Sequence, residues 1–120
     1  MNLFVYGTLR RGNNNPHAEW LHANSRFVGI GSITGTLHRV GEFTGVIPGD
    51  GPAVHGEVFE LQDAVEAWRL LDEYEGDAYE RRDVNVAMSD GRAIDATMYA
   101  YRMPAADQVR RRPPVVARPF

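Results

Sequence analysis

Two places in this sequence carry residue types and spacing suited to proton transfer or anion binding: Glu75, and the run Tyr6-Gly7-Thr8-Leu9-Arg10. Glu75 stands out by position. Asp63 can cap a helix, Glu66 three positions on completes a capping box, and Gly76 is a natural stop, so the spacing predicts a helix between them. With Ala64 at zero and about 100° per residue, Val65, Trp68 and Leu71 fall at about 100°, 40° and 340°, a core-facing stripe. Glu66 and Glu73 fall near 200° and 180°, toward water, whereas Glu75 falls near 20°, between Trp68 and Leu71. A carboxylate there has to be desolvated, paired or useful. It also sits in the last turn, where the negative end of the helix dipole opposes it. Both effects raise a carboxyl pKa toward the range in which it takes up and returns a proton near neutral pH. The bland alternative is a helix that frays before Glu75, which then pairs with Arg81 or Arg82 at the surface.

In the second place, a short apolar run, Leu3-Phe4-Val5-Tyr6, ends in Gly7-Thr8. A strand entering such a turn lets successive backbone N–H groups point into a common space, a nest for a carboxylate or an oxyanion. Gly7 admits conformations that other residues resist, and Thr8 adds a hydroxyl. Other motifs carry less. The stretch Gly29-Ile30-Gly31-Ser32-Ile33-Thr34-Gly35 has one residue too many for a dinucleotide fingerprint and no helix pattern after it. His17, Glu19 and His22 miss the i, i+4 zinc spacing and are read as solvated; His38 and His55 lie in expected strands, where packing or a hydrogen bond is their role. No metal site is expected.

Composition narrows the chemistry. The chain has 120 residues, 43% hydrophobic and 24% charged, which suits one soluble globular domain. All 13 basic residues are arginine, set against 16 carboxylates, and there is no cysteine. Without lysine there is no Schiff base and no phosphate-loop lysine; without cysteine there is no thiolate nucleophile, disulfide or Cys-based zinc site. The apolar runs fall short of a membrane span, and the first residues carry neither a charged leader nor a cleavage site, so a cytoplasmic location without membrane or nucleic-acid partners is the expectation. From Arg102 onward five arginines accompany one aspartate, and Arg110-Arg111-Arg112-Pro113-Pro114 disfavours helix. The chain therefore divides into a domain over residues 1–102 and an Arg/Pro-rich tail over 103–120, read as a surface strap or a partly disordered tail, with a docking segment for anionic partners as the alternative.

The elements that must position the two candidates are mostly strands. Ala18 to Ala23 forms a short helix with Trp20 and Leu21 inward. Arg26 to Val40, interrupted by Gly29, Gly31 and Gly35, reads as a long strand that bends or bulges. Pro48-Gly49-Asp50-Gly51-Pro52 reads as turns, followed by a strand from Ala53 to Leu61. Val84-Val86-Met88 and Ile94-Ala96-Met98 mark two late strands, with Ser89-Asp90-Gly91 a hairpin signal between them, and Tyr99 and Tyr101 share a face of the second. About six strands thus accompany one clear helix.

Val5-Tyr6-Gly7-Thr8-Leu9-Arg10-Arg11-Gly12, Pro48-Gly49-Asp50-Gly51 followed by Val54-His55-Gly56-Glu57-Val58-Phe59, and Leu71-Asp72-Glu73-Tyr74-Glu75-Gly76 with Tyr79 and Arg81 after it resemble, in order and spacing, the gamma-glutamylcyclotransferase-like, or AIG2-like, family. The resemblance implies a small mixed α+β fold, a curved barrel-like sheet with peripheral helices and a cavity at the end of the first strand. It also implies a cofactor-independent enzyme of the acyl-transfer or lyase type that releases 5-oxoproline from a small γ-glutamyl amine or isopeptide. In that reading Tyr6, Gly7, Thr8 and Leu9 hold the γ-glutamyl moiety largely through backbone groups, and Glu75 is the catalytic acid and base. Tyr79 and Arg81 match the Tyr-x-Arg that follows the motif and are expected to shape the pocket, and Tyr99 and Tyr101 match the family's late aromatic strand, with Tyr101 expected to contact substrate; the structural alternative is packing for the tyrosines and an ion pair with Asp72 or Asp77 for Arg81. A non-catalytic small-molecule binding protein on the same scaffold is the competing function.

Overall fold

The computed structural model describes residues 1–41 and 43–102. The expected tail, 103–120, lies outside the described residues. The elements run β1 (Asn2–Val5), α1 (Pro16–Ala23), β2 (Ser25–Val40), β3 (Phe43–Leu61), α2 (Ala64–Glu75), β4 (Tyr79–Met88) and β5 (Ala93–Tyr101). The five strands close a barrel in the order β1-β3-β2-β4-β5. All pairings are antiparallel except β1 with β5, where Leu3 meets Thr97 in parallel and shuts the sheet. This is the mixed α+β, barrel-like architecture expected.

Alternation along the strands sorts side chains into two layers. Phe4, Val46, Val58, Val86, Met88, Ala96, Met98 and Ala100 fill one cluster, the barrel interior. Leu3, Val5 and Phe59 face the other way and pack with Ala18 and Leu21 of α1 and Ala67 and Leu71 of α2. Each buried Val, Leu, Phe or Met contributes about 1.5–3 kcal/mol, so both layers hold the fold together. Gly31 makes the closure between β2 and β4 possible: a Cβ there would stand 2.6 Å from a Val86 methyl. The glycines of the false dinucleotide motif thus serve close strand approach.

Three expectations are corrected. The strands number five among the described residues, because Pro48-Gly49-Asp50-Gly51-Pro52 does not end a strand. Gly35 pairs with Pro48 and Thr34 with Ala53, so the residues between leave the ladder as a wide bulge within β3, and Thr34 Oγ1 donates to the Gly49 carbonyl at 2.7 Å to hold it. Val65 is 81% exposed and does not belong to the core stripe. The buried residues of α2 are Ala67, Leu71, Tyr74 and Glu75, which centres the stripe near about 325° on the same wheel and leaves Val65 well off it. Finally, Asp63 caps α2 by accepting from the Glu66 N–H at 3.1 Å, but the Glu66 carboxylate pairs forward with Arg69 at 2.6 Å instead of closing the box. Gly76, at φ 75°, ends the helix as the sequence indicates.

Candidate functional site

The helix runs through Glu75 without fraying, and its last side chain is 1% exposed. Arg81 does not serve it as the surface partner considered above: its Nε stands 3.2 Å from Asp72 Oδ1, and its guanidinium lies 5.0 Å from the Trp68 ring. Around Glu75 gather phenols, and all five tyrosines of the chain belong to this region. The Tyr6 hydroxyl donates to the Tyr99 carbonyl at 2.9 Å and is hydrogen-bonded by the Val46 main chain. Tyr79 donates to the Thr44 carbonyl at 3.3 Å, and Tyr99 to Asp72 Oδ1. Tyr74 shares a 3.1 Å hydrogen bond with Thr8 Oγ1.

These contacts set the electrostatics. Burial, reinforced by the nearby Glu75 charge, pushes the Tyr6 and Tyr79 hydroxyls far above the ordinary phenol range. Tyr99 rises for the same first reason, and then because it donates to Asp72 and faces its charge. At neutral pH all three are therefore neutral phenols whose protons are committed to carbonyl or carboxylate acceptors.

The turn after β1 is held from behind. Asn15 caps α1 by accepting from Ala18 N–H at 2.8 Å, and its Nδ2 donates to the Thr8 carbonyl at 2.8 Å. His22 Nε2 donates to the Leu9 carbonyl at 2.8 Å, and Arg10 N–H to the Gly7 carbonyl at 3.2 Å. Glu57 accepts from the Arg11 N–H at 2.7 Å and fixes the far end. In a trans peptide the N–H points opposite the carbonyl, so tying back the Gly7 and Thr8 carbonyls directs the Thr8 and Leu9 N–H groups the other way. The Leu9 side chain is fully buried, which leaves its backbone as the part able to meet a ligand.

Glu75 and the Tyr6–Leu9 turn, distant in sequence, thus share one neighbourhood through Tyr6, Tyr74 and Tyr99. Tyr79, Arg81 and Tyr99 line an open groove of about 690 Å³ beside Gly76. Tyr101 is 6% exposed, its ring 6.3 Å from Tyr79 and 5.7 Å from His38, near the turn end of the β2–β3 hairpin. A Cβ on Gly45 would come within 2.6 Å of Tyr101 Cβ, so the hairpin presses directly on it.

The chain matches the family model described as gamma-glutamyl cyclotransferase, AIG2-like, over residues 3–117. It belongs to this family. Its function is accordingly gamma-glutamylcyclotransferase-like. The gamma-glutamylcyclotransferase family protein YtfP of Escherichia coli K12 is 33% identical over 105 residues, spanning 87% of this chain and 85% of YtfP. The crystal structure of an AIG2-like protein from Mus musculus superposes with a TM-score of 0.71 at 27% identity, covering 90% of this chain and 81% of the mouse protein. The solution structure of E. coli YtfP gives a TM-score of 0.57 at 35% identity, covering 87% and 85%.

Sequence reasoning missed the supports of the site. His22 is half-buried, stacked 5.2 Å from Phe59 as well as bonded to Leu9, and the His17 ring lies tilted against Tyr74 with centroids 4.0 Å apart, so neither is the solvated residue expected. His38 meets its expectation through a 2.8 Å hydrogen bond with Thr36 Oγ1, while His55 is simply exposed. Asn15 before Pro16 was a readable capping signal. The Tyr74–Thr8 contact left no local trace. No helix among the described residues is long and apolar enough to cross a membrane.

Proposed function

We propose that the protein is a γ-glutamyl cyclotransferase that uses Glu75 as its proton carrier and needs no cofactor. The substrate is a small γ-glutamyl amine or isopeptide, held at its glutamyl end by the Tyr6-Gly7-Thr8-Leu9 turn. Glu75 takes a proton from the substrate α-ammonium. The freed amine attacks the side-chain carbonyl, forming the carbon–nitrogen bond of a five-membered ring. The attacking nitrogen gives up its second proton to solvent, and collapse of the tetrahedral intermediate breaks the bond to the departing amine, which receives the first proton back from Glu75 and leaves 5-oxoproline. Ring closure gains from proximity, so a folded substrate pose and one proton shuttle account for the rate. The Thr8 and Leu9 N–H groups serve the glutamyl carboxylate or the developing oxyanion, and Tyr79, Arg81 and Tyr101 shape the side from which the amine departs.

The observation that supports this reading is the 1% exposure of Glu75 at the end of α2, among phenols kept neutral by burial. With those protons committed to backbone and carboxylate acceptors, the carboxylate is the group suited to exchange one. The test is 5-oxoproline release from γ-glutamyl amino acids, glutathione and γ-glutamyl-ε-lysine. Glu75→Gln is expected to lose on the order of 10²–10⁴-fold in kcat, the usual contribution of a general acid–base group. Equal rates for the two proteins overturn the mechanism.

A further inference from the structure

Asp72 lies one helical turn before Glu75 on α2, with its side chain 46% exposed. An aspartate so placed needs no partner, yet it has two. It accepts from the Tyr99 hydroxyl and pairs with Arg81 Nε at 3.2 Å. Arg81 covers Trp68, whose ring meets Tyr99 edge-on with centroids 6.3 Å apart. Residues of α2, β4 and β5 thereby close a ring of contacts at the end of the helix that carries Glu75. The backbone of Tyr99 works on the other side: its carbonyl accepts the Tyr6 hydroxyl at 2.9 Å, and Tyr6 opens the Gly7-Thr8 turn. One residue is thus tied by its hydroxyl to the helix and by its main chain to the turn. The 3.1 Å contact of Tyr74 with Thr8 ties the same two pieces independently.

We propose that Asp72 is a positioning residue which, through Tyr99, sets the placement of Glu75 against the Tyr6–Leu9 turn. The reason is geometric. A side-chain group about 5 Å from a helix axis moves by about 1 Å when the helix rotates by about 10°. A misplacement of about 1 Å can cost on the order of 10²-fold in rate. An exposed ion pair contributes little to stability, so the value of the Asp72 link shows in rate more than in melting. Arg81 then acts on the outer side of this link, holding the Asp72 carboxylate in the orientation that Tyr99 needs.

The kinetic arm rests on the γ-glutamyl reading, and the spectroscopic arm does not. In the kinetic arm, Asp72→Asn and Tyr99→Phe are each expected to lower kcat for 5-oxoproline release about tenfold or more with KM within about twofold. The double variant is expected to be no slower than the slower single, because the two residues form one link. An unchanged kcat in Asp72→Asn, or a double-variant loss equal to the product of the singles, overturns the proposal. In the spectroscopic arm, the proton NMR spectrum of the wild type is expected to show a protected tyrosine hydroxyl resonance that is absent from Asp72→Ala and Tyr99→Phe and retained in Glu75→Gln. Asp72→Asn is also expected to shift the Gly7 and Thr8 amide resonances. If the wild type releases no 5-oxoproline, the functional reading falls and the amide shifts alone decide the link; unmoved Gly7 and Thr8 resonances overturn it.

Discussion

The two buried layers of this small barrel are built from different chemistry. Inside the barrel stand Phe4, Ile33, Val46, Val54, Val58, Val86, Met88, Ala96, Met98 and Ala100, all apolar, with Tyr6 packed against them as the one phenol. Beneath the helices the corresponding layer mixes Leu3, Val5, Leu21 and Leu71 with Tyr74, Tyr79, Tyr99 and Tyr101, and Glu75 lies at its edge. Inside a closed sheet the backbone groups are spent on ladders, so a polar side chain there finds no partner and costs free energy. Strand ends and the β2–β3 hairpin still offer carbonyls: the Thr44 carbonyl accepts Tyr79 in the helix-covered layer, and the Tyr99 carbonyl accepts Tyr6, which packs against the barrel cluster. A fold can therefore keep stability in one layer and chemistry in the other.

Exchanging single residues between these roles tests that division. The largest expected effect belongs to Glu75→Gln: under the proposed mechanism it is expected to remove most of the 5-oxoproline release while leaving the Tm no lower than that of the wild type, because an isosteric amide is cheaper to bury than a carboxylate. Met98→Ala, at a fully buried barrel position, is expected to do the reverse: a loss of about 2–5 kcal/mol in urea unfolding with kcat per folded molecule preserved. A Met98→Ala variant that keeps its stability but loses kcat breaks the contrast.

Alkaline pH addresses the buried tyrosines. Tyr6, Tyr79 and Tyr99 have folded pKa values raised by burial first, then by Glu75 for Tyr6 and Tyr79 and by Asp72 for Tyr99. An unfolded phenol titrates near about 10, so their contribution is complete below that pH. Above it the unfolded chain holds fewer protons than the folded one, and stability falls as pH rises. Urea midpoints at about pH 8 and about pH 11 are expected to show this decline, with a shallower slope for Tyr6→Phe. A flat profile would mean that the phenols are not held neutral by the fold.

The smallest effect sharpens the boundary of the helix-covered layer. Val65 is 81% exposed, so Val65→Ser is expected to change stability by no more than about 0.5 kcal/mol. A loss above about 1 kcal/mol would return Val65 to the core stripe.

The Val65 correction shows what a helical wheel omits. Periodicity locates an apolar face only as well as its apolar residues define it, and α2 uses Tyr74, Ala67 and Glu75 on that face while spending a valine on solvent. Glu75 nevertheless stood out, because at about 20° it lies between Trp68 and Leu71 and stays within about 55° of the corrected stripe centre. The alternation that put Tyr99 and Tyr101 on one face of β5 was equally legible, and both are buried in the same layer. The bulge at residues 49–52 was not, since proline and glycine signal a departure from the strand without saying whether the chain returns to the same partner. The behind-the-turn contacts of Asn15 and His22 escaped for the same reason: each joins residues whose meeting depends on where α1 packs.

By itself the sequence determined the chemical inventory and the local geometry. The absence of lysine and cysteine excluded amine and thiolate nucleophiles, while the capping Asp63, the stop at Gly76 and the strand alternation follow from backbone preferences acting over a few neighbours. Only the tertiary structure decided that β1 closes against β5, and that the end of α2 lands beside the turn after β1. Burial and juxtaposition are sums over contacts between distant segments, and residues 6, 75 and 99 become neighbours only when the whole barrel has closed.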